Sequence, residues 1–148
     1  MQTYRNMRFG GLMAAFLFLT VGLFVSLPAH AKPPSACAPT TFSLSGSNVD
    51  NAWKQVTNSQ WSNMLPMIWQ DKGFHFYTRV RERGPDAGIH TPSDLESEIR
   101  RGAATTTTTA NRYQITLNIQ NSSGSFLKVF YDYAGGKNAK CELVTLSY

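Results

Sequence analysis

Three residues spaced by four could carry out chemistry. His75, Arg79 and Arg83 fall within the stretch HFYTRVRERG. Residues four apart share a face on a helix and on a strand alike. The spacing therefore puts an imidazole and two guanidiniums on one surface whichever element forms. Histidine titrates near neutral pH and suits proton transfers, each worth typically ~10²–10⁴ in rate. Arginine stays charged and offers a planar fork of donors to phosphate oxygens. This set matches the needs of RNA cleavage without a metal. A base takes the proton from a ribose 2′-OH, an acid protonates the leaving 5′-oxygen, and cations stabilise the charge on phosphorus. His90 is a second histidine for the acid–base role, and Thr145 can donate to a phosphate oxygen. Arg81, Tyr77 and His90 are the candidates for holding substrate, with Tyr113, Tyr131 and Tyr133 as further rings on which bases can stack.

The same residues also have plainer readings. An arginine-rich element with an acid inside it, here Glu82, is ordinarily a solvated face with local ion pairs. It can equally serve as a docking patch for an acidic partner. Strand alternation puts about half of the tyrosines in the core. His90-Thr91-Pro92 is better explained as a helix entry than as a site.

The elements that must position these residues are partly explicit. Residues 91–102 read as a helix: Thr91 caps, Pro92 fits the first position, and Asp94, Glu96 and Glu98 load the early turns. Leu95 and Ile99 form its apolar pair, Arg100 and Arg101 fall in the last turn, and Gly102 stops it. The stretch FHFYTRV alternates like a strand, yet as a helix it would turn Phe76 and Val80 to the core. Upstream, Trp53, Val56, Gln60 and Met64 form a helical stripe over residues 50–64, capped by Asp50 or Asn48 and ended by Pro66. Trp61, Met67, Ile68 and Trp69 are expected in the core. Thr105 to Thr109 is read as a loop or edge segment. RYQITLNIQ, FLKVFYDY and KCELVTLSY then alternate with turns between them, which predicts an antiparallel meander of three to four strands. The expected fold class is α+β, with N-terminal helices packed on a small antiparallel sheet.

At the N-terminus, Arg5 and Arg8 precede an uncharged run, Phe9 to Ala31, that ends Ala-His-Ala. This describes a secretory signal peptide cleaved after Ala31, with an uncleaved anchor as the rival reading. A single domain over residues 32–148 remains, its first part, 32–47, an extended lead-in. The net charge of +5 falls to +3 once Arg5 and Arg8 are removed, which permits an anionic partner without demanding one. Cys37 and Cys141 are the two cysteines, and in an oxidising compartment they predict one disulfide tying the lead-in to the last strand. No Cys/His constellation has metal-ligand spacing, so no metal or other cofactor is expected.

The order HFYTRVRERG, then IHTPSDLESEIRRG, then RYQITLNI…FLKVFYDY…CELVTLSY resembles the metal-independent ribonuclease toxins of the barnase–EndoU–colicin–RelE-like group. The resemblance runs over residues 74–148. It implies helices before a small antiparallel sheet and RNA as substrate. It also implies His75 as the acid–base residue, Arg79 and Arg83 as phosphate clamps, and Thr145 as the hydroxyl on the last strand. A cognate inhibitor or immunity protein is the partner such a toxin implies. The competing expectation is a periplasmic or secreted binding or inhibitor protein that docks an acidic partner on its basic face.

Overall fold

In the computed structural model, which describes residues 32–46 and 49–148, the three alternating segments are strands. The export segment expected over residues 1–31, and Asn48 as a helix cap, lie outside the described residues. Among the described residues no helix is long and apolar enough to cross a membrane. The described residues form three α-helices, α1 (Asn58–Met64), α2 (His75–Arg83) and α3 (Pro92–Arg101). Five strands form with them, β1 (Trp69–Gln70), β2 (Ala103–Thr106), β3 (Arg112–Gln120), β4 (Phe126–Ala134) and β5 (Lys140–Ser147). The class is α+β.

The sheet runs in the order β1-β5-β4-β3-β2. The expected meander is its centre, and two edge strands extend it beyond the expectation. The first threonines of the Thr run pair with β3, Thr105 opposite Gln114 and Thr106 opposite Tyr113, as suits a β-branched residue. At the other edge β1 lies parallel to β5, Trp69 opposite Cys141, which makes the sheet mixed rather than antiparallel. Alternation buries Tyr113, Ile115, Leu117, Leu127, Val129, Tyr131, Cys141 and Leu143 on one face, and the helices cover that face. A bulge in β5 interrupts the period: Phe130 faces Thr145 while Tyr131 faces Leu143, so Val144 is the extra residue.

α3 forms as its residues dictate. Thr91 Oγ1 accepts from the Asp94 amide at 3.2 Å, and Asp94 Oδ2 accepts from the Thr91 amide at 2.8 Å. Pro92 sits in the first turn, and Leu95 and Ile99 are fully buried. Two of its outward residues take on work that the helix dipole does not require. Glu96 accepts from the Leu44 amide at 2.7 Å, and Arg100 Nη1 donates to the Phe42 carbonyl at 3.2 Å. They hold the lead-in across α3.

The upstream helix is shorter than its stripe predicts. Residues Trp53–Gln55 make a 3₁₀ turn, Val56 is extended, and α1 begins only after Thr57, whose capping box with Gln60 starts it. In a continuous helix the Val56 carbonyl would accept from the Gln60 amide. Here the Tyr77 hydroxyl donates to Val56, and the Gln60 amide turns to Thr57 Oγ1. A tertiary hydrogen bond thus wins over the local period. Met67, expected in the core, is 91% exposed on the turn between α1 and β1. Pro66 and the Trp69 amide bond that closes this turn point it outward.

The core is rich in aromatic rings. Trp61 stacks on Tyr77 at 5.2 Å between centroids, and Trp53 meets both edge-on. Phe42, Trp69, Tyr131 and Tyr113 form a second chain of ring contacts beneath the sheet. The Tyr131 hydroxyl is buried and finds no hydrogen-bond partner among the described residues. Burial, with the neighbouring Tyr113 second, pushes its pKa up to about 12. The folded form holds this proton more tightly than the unfolded chain, so Tyr131 contributes a loss of stability as pH rises from 10 towards 12. Tyr131→Phe is expected to change stability by less than about 0.5 kcal/mol at pH 7 and to flatten that alkaline loss. Urea midpoints at pH 7 and near pH 10.5 test this.

Candidate functional site

Of the two conformations open to FHFYTRV, the chain takes the helix. Gly73 and Phe74 both adopt positive φ, 70° and 58°, and this tight turn brings Asp71 back over the start of α2. The Asp71 carboxylate accepts from the amides of Phe76 (3.2 Å) and Tyr77 (2.8 Å), and from Trp61 Nε1 at 2.9 Å. These amides belong to the first turn, which has no intrahelical acceptors of its own. Burial raises the Asp71 carboxyl above its ordinary value, against the pull of the Tyr77 amide, the Trp61 indole, the Phe76 amide and the His75 charge. A carboxyl whose folded pKa is raised contributes most below its ordinary 3.8 and loses stability as pH rises through that range. Asp71→Ala leaves three donors without an acceptor. It is expected to lower unfolding free energy by about 2–3 kcal/mol, read from urea midpoints, and to abolish that acid-range slope.

With α2 in place, its two flanks differ. Phe76, Tyr77 and Val80 are buried and define the inner side. His75, Arg79 and Arg83 run along one edge of it, as their spacing of four requires. His75 is exposed at the first position, and Arg79 pairs with Glu82 at 2.7 Å. Arg83 Nη1 donates to the Leu146 carbonyl at 2.7 Å, crossing from the helix to β5. That bond lies one residue from Thr145. Thr145 pairs with Phe130 and so sits on the sheet face opposite the buried Leu146. Arg83 is thus tied to β5 next to Thr145 in the chain, but the Thr145 side chain is on the face away from α2, so its hydroxyl is not brought to the arginines.

Arg81 lies about 200° around α2 from both Arg79 and Arg83, at ~100° per residue. Its guanidinium carbon stands 5.6 Å from the Tyr77 ring centroid. On this second flank Arg81 and His90 line one cavity of about 280 Å³ with Ala52, Trp53, Lys54 and Pro85. Two of the three proposed substrate-holding residues are thus neighbours, but they are separated from His75 by the body of the helix. His90 cannot share an acid–base site with Arg79 and Arg83 for the same reason.

The third, Tyr77, is a correction. It is 1% exposed, its ring is enclosed by Trp53 and Trp61, and its hydroxyl is bonded to Val56. No face of it is open to a base. Tyr113 and Tyr131 are likewise buried, stacked on each other at 5.5 Å, and Tyr133 alone of the candidate rings is half-exposed. In each case strand or helix period turns the ring inward.

Cys37 and Cys141 form the expected disulfide, with Cα atoms 5.9 Å apart. Among the described residues no three His, Cys, Asp or Glu side chains converge as a metal site would require. Sequence reasoning missed Lys54, which joins the cavity from a distant part of the chain, and Asp71, which organises α2. Asp71 had a signal, an acid two residues before a glycine at a helix entry. Lys54 had none. No family model, no curated protein and no solved structure matches this chain.

Proposed function

We propose that the chain is an exported, metal-independent endoribonuclease of toxin type, with its site on the flank of α2 that faces β5. The observation that carries this reading is the joint placement of His75, Arg79 and Arg83 along one helix edge, with Arg83 tied to the last strand at the Leu146 carbonyl. His75 takes the proton of a ribose 2′-OH as the 2′-oxygen bonds to phosphorus. The imidazolium then returns that proton to the 5′-oxygen as the P–O5′ bond breaks, giving a 2′,3′-cyclic phosphate and a 5′-hydroxyl. Arg79 and Arg83 hold the phosphate oxygens. Arg79 must exchange Glu82 for phosphate, and an exposed pair of this kind is worth only ~0–1 kcal/mol. Arg83 uses one of its five donors on Leu146 and keeps the rest. Export is supported by the signal-like N-terminal sequence and by the disulfide, which suits an oxidising compartment.

The deciding experiment treats RNA with the purified protein, residues 32–148, in excess EDTA. Cleavage that leaves 2′,3′-cyclic phosphate ends is the expected result. Intact RNA, or activity that EDTA abolishes, overturns the reading.

A second reading has its own support in the Arg79–Glu82 pair, the local ion pairing of a solvated docking face. On it the protein is a periplasmic or secreted binder or inhibitor of an acidic partner. Binding would then survive His75→Gln, fall when Arg79 and Arg83 are both neutralised, and weaken with salt.

A further inference from the structure

Lys54, Arg81 and His90 come from three separate segments and meet at one cavity, although they stand as far as 36 positions apart in the chain. Unlike Arg79, neither Lys54 nor Arg81 has a carboxylate partner among the described residues. The nearby acids are turned elsewhere. Glu82 pairs with Arg79, Asp94 accepts from the amides of His90 and Thr91, and Asp50 is bonded to Ser93. Asp86, exposed on the same 3₁₀ turn as Pro85, does not line the cavity.

Arg81 is held in place without spending its donors. Its guanidinium rests near the face of Tyr77, and that ring is fixed by Trp61 and Trp53. A cation over a ring leaves the in-plane N–H fork free. The cavity wall is equally fixed. Trp53 Nε1 donates to the Ile89 carbonyl at 2.8 Å. Gly84 packs so closely that a Cβ there would stand 2.5 Å from the Val80 carbonyl and 2.9 Å from that of Ile89. A positioned, unpaired guanidinium beside a lysine and a histidine on a rigid wall is an anion site.

We propose that this cavity binds a backbone phosphate of the RNA strand, as a subsite on the far flank of α2 from His75. The proposal rests on the ribonuclease reading for its substrate and goes beyond it in adding a second point of attachment. At about 280 Å³ the cavity lies just below the ~300–1,000 Å³ of sites for drug-sized ligands, which suits a phosphate with part of its sugar. The two flanks of a helix lie on the order of 10 Å apart, within reach of a short oligonucleotide. A strand crossing the exposed crown of α2 would meet Arg79 and Arg83 on one side and Arg81 and Lys54 on the other.

Binding and cleavage can be read separately. A single-stranded oligodeoxyribonucleotide lacks the 2′-OH and stays intact, so its affinity tests the subsite whatever becomes of the nuclease reading. The Lys54→Ala/Arg81→Ala double variant is expected to bind it about tenfold or more weakly. The slope of log affinity against log salt should fall by about 0.7, the contribution of one phosphate contact on a single strand. With RNA, the same variant should show a raised KM on a hexamer. Unchanged affinity and salt slope overturn the subsite. So does a variant that loses affinity for polyglutamate but not for the oligonucleotide, which would assign the cavity to an acidic protein instead. Loss of RNA cleavage in the unmodified protein, with the oligodeoxyribonucleotide result intact, would instead refute the nuclease reading alone.

Discussion

His75→Ala is expected to lower RNA cleavage by ~10²–10⁴-fold, the usual worth of a positioned acid–base group. The same substitution should leave stability within about 0.5 kcal/mol, as for other surface changes. His75 is exposed, heads α2, and makes no side-chain hydrogen bond among the described residues, whereas Asp71 provides the contacts that start the helix. A large kinetic effect with an unmoved thermal midpoint would therefore report chemistry rather than unfolding. Arg83→Ala is the informative contrast, because its guanidinium also binds the Leu146 carbonyl and its loss loosens α2 from β5. Cleavage by His75→Ala at the unmodified rate would remove the imidazole from the mechanism and leave the basic face to docking.

Removing the disulfide, by Cys37→Ser with Cys141→Ser, is expected to lower unfolding free energy by about 3–5 kcal/mol. The two cysteines are separated by 104 positions, and closing a loop of that size removes roughly 4–5 kcal/mol of chain entropy from the unfolded state. Both cysteines are fully buried, so the serines must also bury hydroxyls. Other contacts still hold the lead-in: Glu96 binds the Leu44 amide, Arg100 binds the Phe42 carbonyl, and the Phe42 ring meets Trp69 at 5.3 Å. These contacts keep the folded structure recognisable without the bond. Urea midpoints with and without reductant, and for the double serine variant, measure the effect. A shift below about 0.5 kcal/mol in both would mean that the unfolded chain gains no freedom from losing the link.

The strands of the meander and α3 were legible because their signals are local. A period of two in RYQITLNIQ and a capping box around Thr91 need only neighbouring residues, and both are realised with the boundaries the residues suggest. The shared face of His75, Arg79 and Arg83 was legible for the same reason, since a spacing of four survives either secondary structure. The residues that failed are those whose partners are distant. α1 lost its first turns to a hydroxyl on Tyr77, and Tyr77 itself went to the core between two tryptophans.

The chain's own pattern thus settled the three strands of the meander, their apolar faces, and that two cysteines had one another as partners. The choice between helix and strand at residues 74–83 was left to tertiary contacts, because its apolar residues fit both periods. Asp71 and the packing of Phe76 and Val80 made the helix the form that satisfies buried groups. That choice also divided the basic cluster in two. On a helix Arg81 points away from Arg79 and Arg83, and only folding brings Lys54 and His90 to meet it. No local spacing encodes such a meeting, since it depends on where three separated segments come to rest on one core.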